Sequence, residues 1–384
     1  MPKLFFLAFE FNRCRFAALI ILLIGCVFLC INWFLRDDAV SFFIVKNSLS
    51  EGGCYFTGIN DHGVAVGFFK KNDGKTGQFI WTEKDGMKEI FLPVEDFPEF
   101  LKIDNRGNVA ICEYSTRPKF YFLKHGGEKI EWELPDNEGG HIIDMSDSGI
   151  VLIGTNVFRK RRMMVAKTYD GQITDLGELG ELIGQRHVSL EGINDLEEIV
   201  GTFQVRRTFK GFIWSKKDGM KIIAEEDVAS HVYAHKINNN GQVVGRVARG
   251  RGESNIFVWS REGGIVPIDN LDGNVISVND NCQMVGLFGK SIERHAFLWT
   301  KELGVVDLHS LFSGVKHSIA LDINNNGQIV GSVEFNAPWW IRVWNWSIRA
   351  VGLPESYGPS QEALLPRSKA VMWKIQKRPV EHSL

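Results

Sequence analysis

Apolar and polar positions along the chain fall into a phrase that returns every forty-odd residues. It is fullest at Ile237-Asn238-Asn239-Asn240-Gly241-Gln242-Val243-Val244-Gly245 and at Ile323-Asn324-Asn325-Asn326-Gly327-Gln328-Ile329-Val330-Gly331. Weaker copies start at Ile59, Ile103, Met145, Ile193 and Val278. A second landmark keeps step with the first: Phe79-Ile80-Trp81, Phe212-Ile213-Trp214, Phe257-Val258-Trp259, Phe297-Leu298-Trp299 and Ile341-Arg342-Val343-Trp344. From the Gly that ends the phrase to the Trp is 13 or 14 residues in each of these five copies. Two landmarks locked at one spacing mark a structural repeat.

Within one copy the alternation of side chains predicts four short strands. In the fifth they run His231 to Ile237, Gln242 to Ala248, Asn255 to Ser260 and Gly264 to Ile268. Asn238 to Gly241 suits the first turn, because Asn and Gly tolerate the positive φ of tight hairpins. Four strands in a repeat of this length is the size of a propeller blade, and closing a ring of such units removes exposed sheet edges. An open β-solenoid or paired sandwiches are the competing architectures. Two further strand candidates, Ala39 to Lys46 and Lys369 to Ile375, either pair across the ring closure or form a partial eighth unit.

Composition changes this picture little. The chain has 384 residues, is 44% hydrophobic and 23% charged, and carries a formal net charge of -2. That is the balance of a folded protein rather than a disordered one, and it argues against a phosphate-dominated nucleic-acid binder. Cys54, Cys112 and Cys282 are scattered, without the spacing of a zinc site or a disulfide framework. They read as small hydrophobes, with one disulfide left open if the domain is exported.

The N-terminus adds a separate element. Phe16 to Leu35 is a run of 20 residues without a charge. As a helix it would span about 30 Å, the thickness of a bilayer core. Lys3, Arg13 and Arg15 precede it and Asp37 and Asp38 follow, which places the N-terminus in the cytoplasm. A retained signal anchor is expected from the length. A cleaved leader and lipidation at Cys26, within Leu23-Ile24-Gly25-Cys26, are the alternatives.

The paired landmarks resemble those of the bacterial HAF-repeat, or "probable extracellular repeat", proteins. That family's His-Ala-Phe-Leu-Trp phrase is intact at His295-Ala296-Phe297-Leu298-Trp299, and its Asp-Leu-Gly phrase is best kept at Asp175-Leu176-Gly177-Glu178-Leu179-Gly180. The resemblance covers roughly Gly52 to Leu353. It implies an exported or surface-associated repeat protein and carries no catalytic residues.

Candidate chemistry is sparse. Asp322-Ile323-Asn324-Asn325-Asn326-Gly327 matches the opening of a calcium loop, but Val333 stands where the closing Glu belongs, so turn formation explains it better. His295 recurs in no other copy and reads as a strand-start packing or hydrogen-bonding residue. Arg159 to Arg162 reads as a solvated hairpin tip. Trp339 and Trp340, after Pro338, are the candidate ligand-contact residues, as an exposed aromatic platform.

The expectation is therefore an all-β, propeller-like protein of about seven four-stranded repeats preceded by one transmembrane helix. Its divisions are a cytoplasmic N-terminus (1–15), a signal anchor (16–35), a linker (36–51), the seven-repeat propeller (52–354) and a tail with a ring-closing strand (355–384). It would sit as a single-pass protein of the bacterial cell membrane, its C-terminal domain periplasmic or extracellular. Its expected partners are the lipid bilayer, through the helix, and a protein, peptide or glycan. No nucleic acid, cofactor, metal or catalytic residue is expected, because no convergent acid–base cluster is visible at the ring centre. A non-catalytic binding or scaffold protein, more readily than an enzyme, follows from that. The alternative is an envelope hydrolase or lyase with its site in the propeller funnel.

Overall fold

The computed structural model describes residues 40–335, apart from short segments between strands, together with residues 368–375. The chain divides into two compact units. Phe42–Trp373 is one, and Met1–Ser41 with Lys374–Leu384 is the other.

Its strands form seven four-stranded sheets. In six of them four strands follow one another in chain order. The fifth sheet consists of His231–Ile237, Val243–Arg249, Glu253–Ser260 and Gly264–Pro267, paired antiparallel, within two residues of the expected boundaries. The seventh draws on distant parts of the chain. Val315–Ile323 and Gln328–Phe335 are followed in the sheet by Ser368–Ile375 and then by Val40–Ile44. The two spare strand candidates thus complete the last sheet. Ile341 to Trp344, expected as its third strand, lies outside the described residues, and Ser368–Ile375 holds that place with the fully buried Trp373.

Each letter of the phrase has a physical task. The leading Ile is core, as at Ile59, Ile193, Ile237 and Ile323. The Asn after it is buried and spends every hydrogen-bonding capacity it has. Asn324 Oδ1 accepts from the backbone N–H of Asn326 (3.1 Å) and Gln328 (2.9 Å), which shapes the turn. Its Nδ2 donates to Gln328 Oε1 (2.8 Å) and to the main-chain oxygen of Asn60 in the first sheet (2.8 Å). The same bond from one sheet to the next is made by Asn60 to Asp104 O (3.0 Å), Asn194 to Asn238 O (3.1 Å), Asn238 to Asn279 O (3.0 Å) and Asn279 to Asn324 O (2.9 Å). A second belt runs beside it: in five of the seven copies the third-position N–H donates to the third-position side chain of the next copy. Asn239 to Asp280 Oδ1, Asp280 to Asn325 Oδ1 and Asn325 to Asp61 Oδ1 are 2.8 Å each. The last link joins the seventh copy to the first, so the ring is closed.

Only a carboxamide both accepts and donates in this way. That explains the two degenerate copies. Asp104 and Ser146 occupy the Asn position in copies two and three and have no amide to donate. There the links are Asn105 N–H to Asp147 O (2.8 Å) and Ser148 N–H to Asp195 Oδ1 (2.8 Å).

Two glycines complete the phrase. The fifth position has positive φ in every copy: 73° at Gly63, 81° at Gly107, 84° at Gly149, 69° at Gly241 and 74° at Gly327. Copies four and six force Glu197 and Cys282 into the same region, both at φ 57°. The closing Gly faces the first strand so tightly that a Cβ would lie 2.0–2.2 Å from its carbonyl oxygen at Gly67, Gly201, Gly245, Gly286 and Gly331. Six of the seven first strands carry a register shift at this level.

The core lies between sheets. Val200, Ile213 and Ile223 of the fourth sheet pack with Val232, Ala234, Val243 and Phe257 of the fifth. Phe79, Phe212, Phe257 and Phe297, the first residues of the second landmark, are fully buried. Each contributes about 1.5–3 kcal/mol of apolar burial.

The membrane expectation is corrected. No helix among the described residues is long and apolar enough to cross a membrane, and Phe16 to Leu35 lies outside the described residues. The single-pass topology, the bilayer as a partner and the periplasmic or extracellular placement therefore have no helix among the described residues to rest on.

Two substitutions test these assignments. Asn324→Asp removes both donors of a side chain only 4% exposed and should lower unfolding stability by about 2–3 kcal/mol in urea titrations. Cys282→Gly relieves a strained backbone and should raise it by about 1 kcal/mol. An unchanged midpoint in either variant would remove that residue's assigned role.

Candidate active site

Opposite ends of the strands carry different chemistry. At the Asn-turn end, the residue before the leading Ile of each copy faces the ring axis. Across the seven copies it is Gly58, Lys102, Asp144, Gly192, Lys236, Ser277 and Asp322. The register shifts put an extra residue into the first strand just before this position in six copies, and such bulges re-aim side chains. Lys102 reaches across Gly58 to Asp322 (3.3 Å), and Lys236 reaches across Gly192 to Asp144 (2.8 Å). Asp322 also accepts from Ser277 Oγ (2.7 Å) and the Ile59 N–H (3.1 Å). Burial disfavours the Lys102 ammonium, but the carboxylates of Asp322, Asp144 and Asp147 outweigh it and hold its pKa above the ordinary lysine value. These residues line an axial cavity of about 60 Å³. At its mouth the Asp147 carboxyl is pushed up to about 7 by desolvation and by Asp322, Asp61, Asp195 and Asp280. Asp147 is exposed, so the repulsion among carboxylates is the cause the geometry supports most directly.

At the other end, the junction of the sixth and seventh sheets gathers four side chains. His295 opens the third strand of the sixth sheet, Asp307 ends its fourth, His309 starts a single 3-10 turn, and Ser318 lies in the first strand of the seventh. His295 Nδ1 and Asp307 Oδ2 are 3.1 Å apart. The other Asp307 oxygen accepts from the N–H groups of His309 (2.9 Å) and Ser310 (3.2 Å), which fixes the turn. Ser318 Oγ accepts from the Ala296 N–H (2.9 Å) and lies 2.9 Å from His309 Nδ1. The two imidazoles stack with centroids 3.9 Å apart and planes 12° from parallel.

This network assigns opposite tautomers to the stacked rings. A carboxylate only accepts, so His295 carries its proton on Nδ1 and presents a lone pair at Nε2. Ser318 Oγ accepts from the Ala296 N–H, and among the described residues its own proton has no acceptor besides His309 Nδ1, so we assign that proton to the Ser318–His309 bond and the His309 proton to Nε2. Burial, and then the neighbouring His295, lower the His309 pKa, so it stays neutral at pH 7. One ring is a base and the other a neutral donor.

Internal comparison separates this set from packing residues. His317 Nδ1 accepts from the Arg294 N–H (3.3 Å), and His231 does the same for Phe209 (3.3 Å) at the junction of the fourth and fifth sheets. That histidine is a device of the fold. At the same junction Lys210 and Val232 stand in place of His295 and Ser318.

Of the residues marked from sequence, Trp339 and Trp340 lie outside the described residues. His295 is in the cluster, and a strand-start packing or hydrogen-bonding role fits its contact with Asp307 but misses His309 and Ser318. The calcium-like stretch serves the ring, with Asp322 turned to lysine and serine and Asn324 and Asn326 bonded to the first copy. Among the described residues no group of three or more His, Cys, Asp or Glu side chains is arranged to hold a metal ion. Among the described residues Cys54, Cys112 and Cys282 form no disulfide.

The same fold recurs in solved structures. One is a catalytically inactive histidine-to-alanine form of virginiamycin B lyase from Staphylococcus aureus with quinupristin. It matches at a TM-score of 0.53 and 12% identity over 88% of this chain and 100% of that one. An acylaminoacyl peptidase from Pyrococcus horikoshii matches at 0.53 and 13% identity, over 76% of this chain and 51% of that one. A puromycin-hydrolyzing peptidase from Mycobacterium tuberculosis matches at 0.53 and 11%, again over 76% and 51%. The chain thus spans about half the length of these two peptidases. At such identities the likeness shows the fold. No family model matches the chain, and no curated protein matches it by sequence.

Two expectations are overturned here. The HAF-repeat assignment gives way to the propellers of a lyase and of peptidases, because the shared letters are those that build a hairpin and a ring. The non-catalytic scaffold, with an enzyme held less favoured, is corrected too. It rested on the lack of convergent acid–base groups, and the fold assembles two such sets.

Proposed function

We propose that this chain is an acid–base enzyme of the lyase or hydrolase type, with His295 as general base and His309 as electrophilic hydrogen-bond donor. The observation that carries this reading is the stacked histidine pair held by Asp307 and Ser318, to which the hydrogen-bond network assigns opposite tautomers. His295 Nε2 takes a proton from the carbon next to a carbonyl, while the His309 N–H stabilises the oxygen on which charge develops. The electron pair then forms a carbon–carbon double bond and expels a leaving group from the adjacent carbon. Neutral imidazole suits the donor role because it polarises the carbonyl without surrendering a proton early. The similar lyase supports this choice, since a histidine-to-alanine form of it is catalytically inactive.

Hydrolysis is the second reading, favoured by the Ser318–His309 bond and by the peptidases that share the fold. Ser318 is only 2% exposed, which suits a positioning hydroxyl better than a nucleophile. In this reading His295 activates water. Either way the substrate is a peptide-like or ester-bearing molecule.

Incubation with quinupristin and with an N-acylated peptide, followed by mass spectrometry, tests the reading. Elimination leaves products whose masses sum to that of the substrate, whereas hydrolysis adds one water. His295→Ala should lower the rate by about 10²–10⁴-fold. The rate should hold or rise between about pH 7 and pH 9, because His309 acts neutral. A rate that falls over that range would require a cationic acid and would contradict the assignment.

A further inference from the structure

We infer that the axial cavity is a second binding site, separate from the histidine cluster, for a small zwitterion of amino-acid size. Its charged residues are not required by the fold. The same position is filled by Gly58, Gly192 and Ser277 in other copies, and each of those copies forms its sheet. Nor does stability account for them. The Asp144 side chain is 8% exposed and those of Lys102 and Lys236 are 20% exposed. For pairs this deep, desolvation commonly cancels the Coulomb gain.

The two pairs are arranged alike, and both leave room. Each lysine spans a glycine of the intervening copy. A Cβ on Gly192 would press on Lys236 Cα (3.2 Å), and one on Gly58 would fill the contact space beside Lys102 Cα (3.4 Å) and Asp322 Oδ2 (3.5 Å). The glycines therefore keep the ion pairs at the axis with space beside them.

Capacity is left over for a ligand. An ammonium has three donors. Among the described residues Lys102 spends them on Asp322 alone, and Lys236 on Asp144 and the Glu191 main-chain oxygen (3.1 Å). Asp144 accepts at Oδ2 from Lys236 and the Ile193 N–H (3.4 Å), and its Oδ1 has no partner among the described residues. Unused donors and an unused acceptor thus face one cavity. The two pairs cancel, while Asp147 and Asp280 add negative charge toward the mouth, so a lone anion would meet that negative field and a lone cation would leave the lysine donors unused. A zwitterion brings one of each. Its carboxylate suits Lys102, and its ammonium suits Asp144 with Asp147 and Asp280 toward the mouth. The cavity's 60 Å³ holds about four to six waters, the number of heavy atoms in the smallest amino acids.

The test is isothermal titration of the full chain with free glycine, and separately with acetate and methylammonium. Glycine should bind at least tenfold tighter than either half-ion. Asp144→Asn should weaken glycine binding at least tenfold, while His295→Ala should leave it unchanged and so keep this site distinct from the acid–base reading. The half-ion comparison uses the native chain, so it decides the matter if the Asp144 variant does not fold. No heat with glycine, half-ions binding as tightly as glycine, or loss of binding in His295→Ala would overturn the proposal.

Discussion

A buried carboxamide that must both accept and donate is the constraint on which this molecule depends. Seven sheets can be laid side by side in many ways, and apolar packing between them is not directional. The Asn of the repeat phrase adds direction. One end of its amide shapes a turn within its own copy while the other holds the next copy at hydrogen-bond distance, from Asn194 through Asn238, Asn279 and Asn324 to Asn60. Because the last link returns to the first copy, the belt measures the circumference of the ring. The final sheet supports the same closure with strands from both ends of the propeller segment, where Val45 N–H bonds Ala370 O at 2.9 Å.

This division of labour explains what could be read from the chain. Asn, Gly and the buried Phe recur because they do the same task in most blades, so strand positions in the fifth copy are legible to within two residues. The third strand of the last sheet was not, because Ile341-Arg342-Val343-Trp344 carries a plausible landmark, and only the sheet order reveals that Ser368–Ile375 fills the place. Copies two and three look degenerate in sequence. In the structure they are where the belt changes partners, because neither Asp104 nor Ser146 has a side-chain amide to reach the next copy.

The sites were far less legible, for a physical reason. Lys102, Asp144, Lys236 and Asp322 look like ordinary charges beside an Ile. Their meeting depends on the ring bringing first strands together from opposite ends of the chain and, for all but Lys102, on the bulge that turns them to the axis. His295 stands out by being single, yet Asp307, His309 and Ser318 join it only through the packing of two sheets and a 3-10 turn. Positions that repeat thus specify the scaffold, and positions that break the repeat hold the chemistry. The contrast between His317, echoed by His231, and His295, echoed by nothing, shows this within one junction.

The central claim is that one junction holds two stacked imidazoles with opposite proton assignments. Long-range proton–nitrogen NMR correlation spectra of the ¹⁵N-histidine-labelled chain read tautomers directly. The account predicts a proton on Nδ1 of His295 and on Nε2 of His309 at neutral pH. Finding the same tautomer on both rings would contradict it.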